Sequence, residues 1–269
     1  MARYNGSQKI RNRYFGSQKI QRRYLGTRLV YQAREPKLYM MNGESLSASK
    51  LYILNSQTGV AIKEVGRTLL PVLGQGMTFI DDTLYLVGFE RPFSALYTVD
   101  LETPAITKLG NLNQLNSVSL AASAMAYDES TVYILDDTHN NLSTLNLTTR
   151  TVTRIGTANH FGSVNETKPR GLTFLGNTLY MVGNRNDMLY TVDTTTGVAT
   201  RVGNSERFGI RESNPTGLTT IGNQLYMVGE ANDVLYTLNT TTGAATQVGN
   251  SIRFGVGAIK PQGLAYGPV

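Results

Sequence analysis

The stretch Gly171-Leu-Thr-Phe-Leu-Gly-Asn-Thr-Leu-Tyr-Met-Val-Gly183 returns 46 residues later as Gly217-Leu-Thr-Thr-Ile-Gly-Asn-Gln-Leu-Tyr-Met-Val-Gly229. Between residues 171–216 and 217–262, 29 of 46 positions are identical. Looser copies begin at Gly76-Met77-Thr78-Phe79-Ile80 and at Ser123-Ala124-Met125-Ala126-Tyr127. Each copy holds four short apolar stretches; in the copy that starts at Gly171 they are 172–175, 179–182, 188–192 and 198–202. Gly176-Asn177, residues 184–187 and residues 193–197 interrupt them, and all are turn-forming sequences. Helical periodicity is absent, so no helix of consequence is expected.

Four strands in a unit of about 45 residues is the signature of a propeller blade. Complete units start at 76, 123, 171 and 217. Ahead of the first, Leu38-Tyr39-Met40-Met41, residues 51–54 and residues 60–65 match the second, third and fourth strands of a blade whose first strand is missing. The chain ends Gly263-Leu264-Ala265-Tyr266-Gly267-Pro268-Val269, which matches a first strand and nothing more. The two fragments sum to one blade, and pairing them closes the ring without an open edge. The expected fold is therefore all-β: a five-bladed propeller over residues 35–269, closed by a C-terminal first strand. A rival register takes residues 29–32 as the missing strand, but it lacks the Gly-Leu start and strands the C-terminal match.

With 269 residues and 41% hydrophobic content the chain can bury a sizeable core. It has no cysteine, which excludes disulfides and thiolate chemistry, and only two histidines, His139 and His160. No stretch approaches the roughly 18 apolar residues of a spanning helix, and the N-terminus lacks the apolar core of a signal peptide. The net charge of +6 is uneven. Residues 1–34 carry nine basic side chains and no acidic one, leaving 16 basic against 19 acidic in the remainder. This basic arm repeats every ten residues. Arg3-Tyr4-Asn5-Gly6-Ser7-Gln8-Lys9-Ile10 recurs as Arg13-Tyr14-Phe15-Gly16-Ser17-Gln18-Lys19-Ile20, then loosely from Arg23-Tyr24-Leu25-Gly26-Thr27. Alternating side chains around Gly-Ser or Gly-Thr turns predict a short β-meander of three strands. So small a meander is marginal alone and should fold against a partner or against copies of itself.

Residues 38–269 resemble five-bladed propellers built from Leu-Tyr-x-Val-Asp-x-x-Thr-Gly-x-x-Thr-x-Val-Gly units, the best copy running from Leu189 to Gly203. In blade number and repeat length the body is also similar to the tachylectin-type lectins, which bind amino sugars between blades. Those lectins rely on tryptophan-bearing repeats and this chain has none, so their sugar chemistry does not transfer. The Tyr-x-Gly-Ser-x-x-Ile decapeptides resemble short repeats at the ends of tail or appendage proteins of tailed bacteriophages.

Glycoside hydrolases with five blades place carboxylates on the innermost strands, and their catalysis needs an acid/base pair. The predicted innermost strands here carry no Asp, Glu or His, which argues against an enzyme, and no catalytic residue, cofactor or metal site is expected. Asp81-Asp82 aligns with hairpin turns, Asp136-Asp137 falls in the loop after a second strand, and Asp187 and Asp233 read as turn-formers bonded to nearby amides. The ligand clusters of calcium loops are absent. His139 shares the loop class of Asp187, without a Ser–His–Asp spacing around it.

The inter-blade loops share a recurring pattern. His160-Phe161, Arg207-Phe208 and Arg253-Phe254 each precede Gly, with Asn204 and Asn250 upstream and Pro169, Pro215 and Pro261 downstream. A recurring aromatic, cation and amide is what a multivalent site for sugars or acidic ligands requires. Alternatively, each Phe plugs the gap between wedge-shaped blades while the Arg caps carbonyls, and core packing alone would make such a loop recur.

These readings give a leading expectation of a non-enzymatic virion protein of a tailed phage. Tyr4, Arg11, Arg13, Tyr14, Arg22, Arg23 and Tyr24 of the arm would dock it to other virion proteins as an oligomer, and the propeller would project for host-surface contact. Basic residues interleaved with tyrosines also suit nucleic acid, but regular turns and strict alternation favour a protein partner. The alternative is a soluble lectin or adhesin, secreted or cytoplasmic, with a glycan on the inter-blade loops.

Overall fold

Connections of two to five residues between apolar runs permit little besides antiparallel hairpins. A computed structural model describes residues 35–43, 49–68, 73–90, 93–103, 105–114, 120–157, 159, 161–164, 168–210, 214–257 and 260–268, with the backbone of short strands inside 14–32. These residues form five antiparallel blades. The closing blade orders its strands Pro261–Gly267, Lys37–Asn42, Ser49–Leu54 and Ala61–Thr68 from axis to rim. Tyr266 pairs with Leu38, Ala265 with Tyr39, Leu264 with Met40 and Gly263 with Met41. The second blade runs Leu73–Ile80, Thr83–Glu90, Phe93–Val99 and Ile106–Asn111. The third runs Ala122–Tyr127, Val132–Asp136, Asn141–Leu145 and Thr151–Arg154, with Asn113–Gln114 added in parallel to its outer edge. The fourth runs Pro169–Leu175, Thr178–Gly183, Met188–Val192 and Ala199–Arg201; the fifth runs Pro215–Ile221, Gln224–Gly229, Val234–Leu238 and Ala245–Gln247. Among the described residues the only helical elements are three short 3-10 turns, Gly162–Val164, Glu206–Gly209 and Arg253–Gly255.

In the arm, Tyr14–Phe15 pairs with Gln18–Lys19, and Arg22–Leu25 with Arg28–Gln32. The described backbone is thus two hairpins rather than a three-stranded meander. Their innermost pairs, Phe15 with Gln18 and Leu25 with Arg28, bracket the Gly-Ser and Gly-Thr dipeptides. Tyr14, Arg22, Arg23 and Tyr24 lie on these strands, whereas Tyr4, Arg11 and Arg13 lie outside the described residues. Arg28–Gln32 pairs inside the arm, so the rival register for ring closure is not taken.

Every blade is covered on both faces, which is why its inner strands read as near-continuous apolar runs. In the closing strand, Leu264 joins Val228, Leu235 and Phe254 at the seam to the fifth blade. Its neighbour Ala265 joins Met77, Leu84 and Leu86 at the seam to the second. The third unit needs a correction of one residue. Ala124, not Ser123, pairs with Leu135 as Gly171 pairs with Val182, so Ala124 is the equivalent of the unit-opening glycines.

Those glycines answer a steric limit at the axis. A Cβ at Gly217 would stand 2.8 Å from the Leu264 nitrogen and 3.0 Å from Leu264 Cβ of the next blade. One at Gly171 would stand 2.6 Å from Leu218 Cβ. Five innermost strands meet so closely that the axis holds a void of only ≈ 10 Å³.

A second repeated device works at the outer seam. Asn55, Asp100, Asn146, Asp193 and Asn239 each close the turn between third and fourth strands by accepting two backbone N–H groups at 2.7–3.2 Å. That turn then meets the Val-Gly at the end of the preceding blade. Gly243 (φ 72°) faces the Val202 carbonyl, 2.5 Å from where its Cβ would be, and Gly203 (φ 59°) faces the Thr242 carbonyl in return. The Thr-Gly and Val-Gly of the repeat are therefore two halves of one inter-blade contact.

Gly217→Ala is expected to cost about 1–3 kcal/mol through overpacking at the axis, measured by denaturant unfolding. The amides of Thr196 and Thr195 hold the Asp193 carboxyl below the usual carboxylate range. Its stabilising contribution is therefore present above the unfolded carboxylate's pKa and lost as pH falls through the folded value. Asp193→Asn keeps the turn, as Asn55, Asn146 and Asn239 do. This variant should melt with less acid sensitivity than the parent as pH falls below about 4.

Candidate functional site

The inter-blade loops were the sequence's candidate ligand sites, and the backbone turns their aromatics inward. Phe161, Phe208 and Phe254 have φ of 58°, 54° and 52° and are fully buried. Left-handed backbone at a bulky residue costs roughly 1–2 kcal/mol, and burial of a whole ring offsets it. Phe208 packs among Tyr180, Val182 and Leu189 of the fourth blade and Leu218 and Leu225 of the fifth. Phe254 fills the next seam with Met40 and Val228, and Phe161 the preceding one with Leu135 and Met181. The Phe161 carbonyl also accepts from Ala199 N–H at 3.1 Å, so the turn covers the first residue of the fourth blade's short outer strand. No ring face is left for a ligand. Asn204, Arg207, Asn250 and Arg253 are exposed on the flank, and His160 lies outside the described residues.

Arg207 acts on Asp187. Burial raises the Asp187 pKa, while the Asn214 N–H, which it accepts at 3.1 Å, and the Arg207 charge oppose that rise. Asp187 and Asp233 have φ of 51° and 52°, as expected of turn-formers. However, the amide bonded to Asp187 is 27 residues away, not in its own turn. This carboxylate ties a second-to-third-strand loop to the following inter-blade loop.

Sequence reading missed the end of the axis away from the Asx turns. In every blade the innermost strand carries a β-bulge just before its unit-opening residue, between Gly74 and Gly76, Ala122 and Ala124, Pro169 and Gly171, Pro215 and Gly217, and Pro261 and Gly263. A bulge re-aims the extra side chain. Three of the extra residues clasp across seams. Ser123 Oγ donates to the Pro169 carbonyl at 2.8 Å, Arg170 Nη1 donates to Asp137 Oδ2 at 2.9 Å, and Gln262 Nε2 donates to Glu230 Oε1. Next to Asp137, the fully buried Asp136 ends the second strand of the third blade, where a loop position was expected. Its Oδ1 accepts from Thr138 N–H at 2.8 Å, and its Oδ2 lies 2.5 Å from His139 Nδ1. This contact orients the imidazole through Nδ1. The available signal was the polar residue between Pro and Gly in Pro169-Arg170-Gly171, Pro215-Thr216-Gly217 and Pro261-Gln262-Gly263.

Chemically, the mouth offers a guanidinium, carboxylates and an oriented imidazole above a sealed axis. Among the described residues no group of three His, Asp or Glu is placed to hold a metal ion. No helix of the described residues is long and apolar enough to cross a membrane.

No protein-family model and no curated protein matches the sequence. Solved structures do share the shape. A chain of the Nidogen/Laminin complex is similar with a TM-score of 0.56 at 10% identity, covering 86% of this chain and 98% of that one. A structural-genomics protein of unknown function from Bacteroides thetaiotaomicron VPI-5482 has a TM-score of 0.56 at 17% identity, covering 88% and 66%. Glutaminyl cyclase from Myxococcus xanthus, with a TM-score of 0.48 at 15% identity, covers 72% and 70% and lends no argument about chemistry. At these identities the likeness shows the propeller fold alone. The seam loops are therefore tested on this chain directly: Phe208→Ala should cost about 3–5 kcal/mol in denaturant unfolding, and Arg207→Ala about 0.5 kcal/mol or less.

Proposed function

We propose that the chain is a non-enzymatic binding protein of a tailed-phage particle, docked through residues 1–34 and holding its propeller outward for contact with a host surface. One observation carries the division of labour. The ring closes on Pro261–Gly267 and uses no arm strand, while the arm's described strands pair only with each other. The particle itself is supported by the tandem decapeptides. The nine basic side chains of residues 1–34 suit an acidic protein face. A non-enzymatic role is supported by innermost strands without Asp, Glu or His and by the filled axis.

Mass spectrometry of purified particles from the strain that carries the gene should find the full chain in stoichiometric amounts. Deletion of residues 1–34 should leave a folded, monomeric propeller that is missing from particles. Full-length chain absent from particles would overturn the assignment, and an unfolded truncation would show that the arm belongs to the core.

A further inference from the structure

We infer that two equivalent depressions on the Asx-turn face, one in the closing blade and one in the third, bind a neutral saccharide. The inference goes beyond docking and does not depend on which particle or cell carries the chain. The equivalence is set by register. Tyr127 pairs with Val132 and Val132 with Leu145; Tyr266 pairs with Leu38 and Leu38 with Leu54. Each row ends a blade at the same level, beside the Asx turn of Asn146 or Asn55. The depressions measure ≈ 530 and ≈ 390 Å³, within the range of small-ligand sites.

The same position elsewhere in the ring has other work. Phe79 meets Tyr39 across a seam with ring centroids 5.6 Å apart, and Phe174 meets Tyr133 at 5.4 Å. Thr220 donates its hydroxyl to the Phe174 carbonyl at 2.7 Å. Tyr127, packed against the cluster of Val132 and Leu145, and Tyr266, packed against that of Leu38 and Leu54, line the depressions, half-buried, over an aliphatic floor. Asn146 Oδ1 and Asn55 Oδ1 each hold two backbone N–H groups, which fixes the amide plane and leaves Nδ2 as the donor a ligand would meet.

Ligand class follows from what the two sites share and where they differ. Charges around them have opposite sign: Lys37 and Lys63 border one, Asp81 the other. A common ligand therefore gains nothing from carrying charge. What remains in both is an aromatic face, an aliphatic floor and fixed amide or hydroxyl groups, with Thr148 and Gln57 at matching turn positions. A sugar ring meets these with an apolar C–H face and a rim of hydroxyls.

The test is ligand-observed NMR and calorimetry on the full chain with neutral hexoses and N-acetylhexosamines, and with glucuronic acid and glucosamine as charged counterparts. Neutral sugars should bind at two sites per chain. Tyr127→Ala and Tyr266→Ala should each remove one site or weaken it at least about tenfold, and the double variant should remove both. Tyr127→Phe, which keeps the ring, should retain binding, and unchanged far-ultraviolet dichroism would show that the alanine variants fold. Absence of binding by every neutral sugar in a folded protein would overturn the inference, as would binding that survives the double variant or that follows charge. Particle composition is not read in this experiment, so its failure leaves the docking proposal standing.

Discussion

The antiparallel pairing of the last strand, Pro261–Gly267, with Lys37–Asn42 governs the rest of the molecule. A propeller blade is stable because both its faces are covered, so an incomplete blade exposes two seams at once. The closing strand supplies Leu264 to one seam and Ala265 to the other. It also occupies the edge that Lys37–Asn42 would otherwise present to solvent. Joining the propeller's first and last strands in one sheet makes each blade's stability conditional on its neighbours.

With five blades the ring is small, and the closeness of the inner strands dictates composition. Glycine opens four of the five units and Ala124 the fifth, and at Gly76, Gly171 and Gly217 the neighbouring strand leaves no room for a Cβ. At three outer seams, turn and Val-Gly or Ile-Gly meet through back-to-back left-handed glycines, Gly59 with Gly249, Gly197 with Gly156 and Gly243 with Gly203. Phenylalanines seal the seams from the flank. Few positions of the repeat are then free to vary, and variable chemistry collects where the blades end. The bulged residues and second-strand ends make clasps at one mouth, and the tyrosine rows make depressions on the opposite face.

Much of this was legible in the sequence, since the repeat is a direct image of the contacts. The small-residue openings followed by Leu or Met, the Leu/Val-Tyr second strands and the Asp/Asn-x-x-Thr turns report one blade each, and the unmatched tail reports the closure. Three features were not legible, each for a physical reason. A bulge adds a residue without changing the apolar pattern downstream, so nothing in the pattern marks Arg170 or Gln262, and the third unit slipped from Ala124 to Ser123. The side on which a left-handed Arg-Phe-Gly turn places its ring depends on the seam behind it, so the spacing alone could not decide between a ligand-facing Phe208 and one that plugs the seam. The bond from Asn214 to Asp187 crosses from one loop to another, and local spacing cannot show it.

The comparisons add shape and nothing finer, so any activity must come from surfaces that the scaffold leaves over. The arm, the clasped mouth and the tyrosine depressions are those surfaces, and all of them are positioned by the closed ring. Native-state hydrogen exchange read by mass spectrometry tests that closure without altering the protein. The account predicts that amides of residues 263–266 exchange as slowly as those of residues 38–41, and that both are released only with global unfolding. Rapid exchange of the final strand while residues 38–41 and the other four blades stay protected would contradict it.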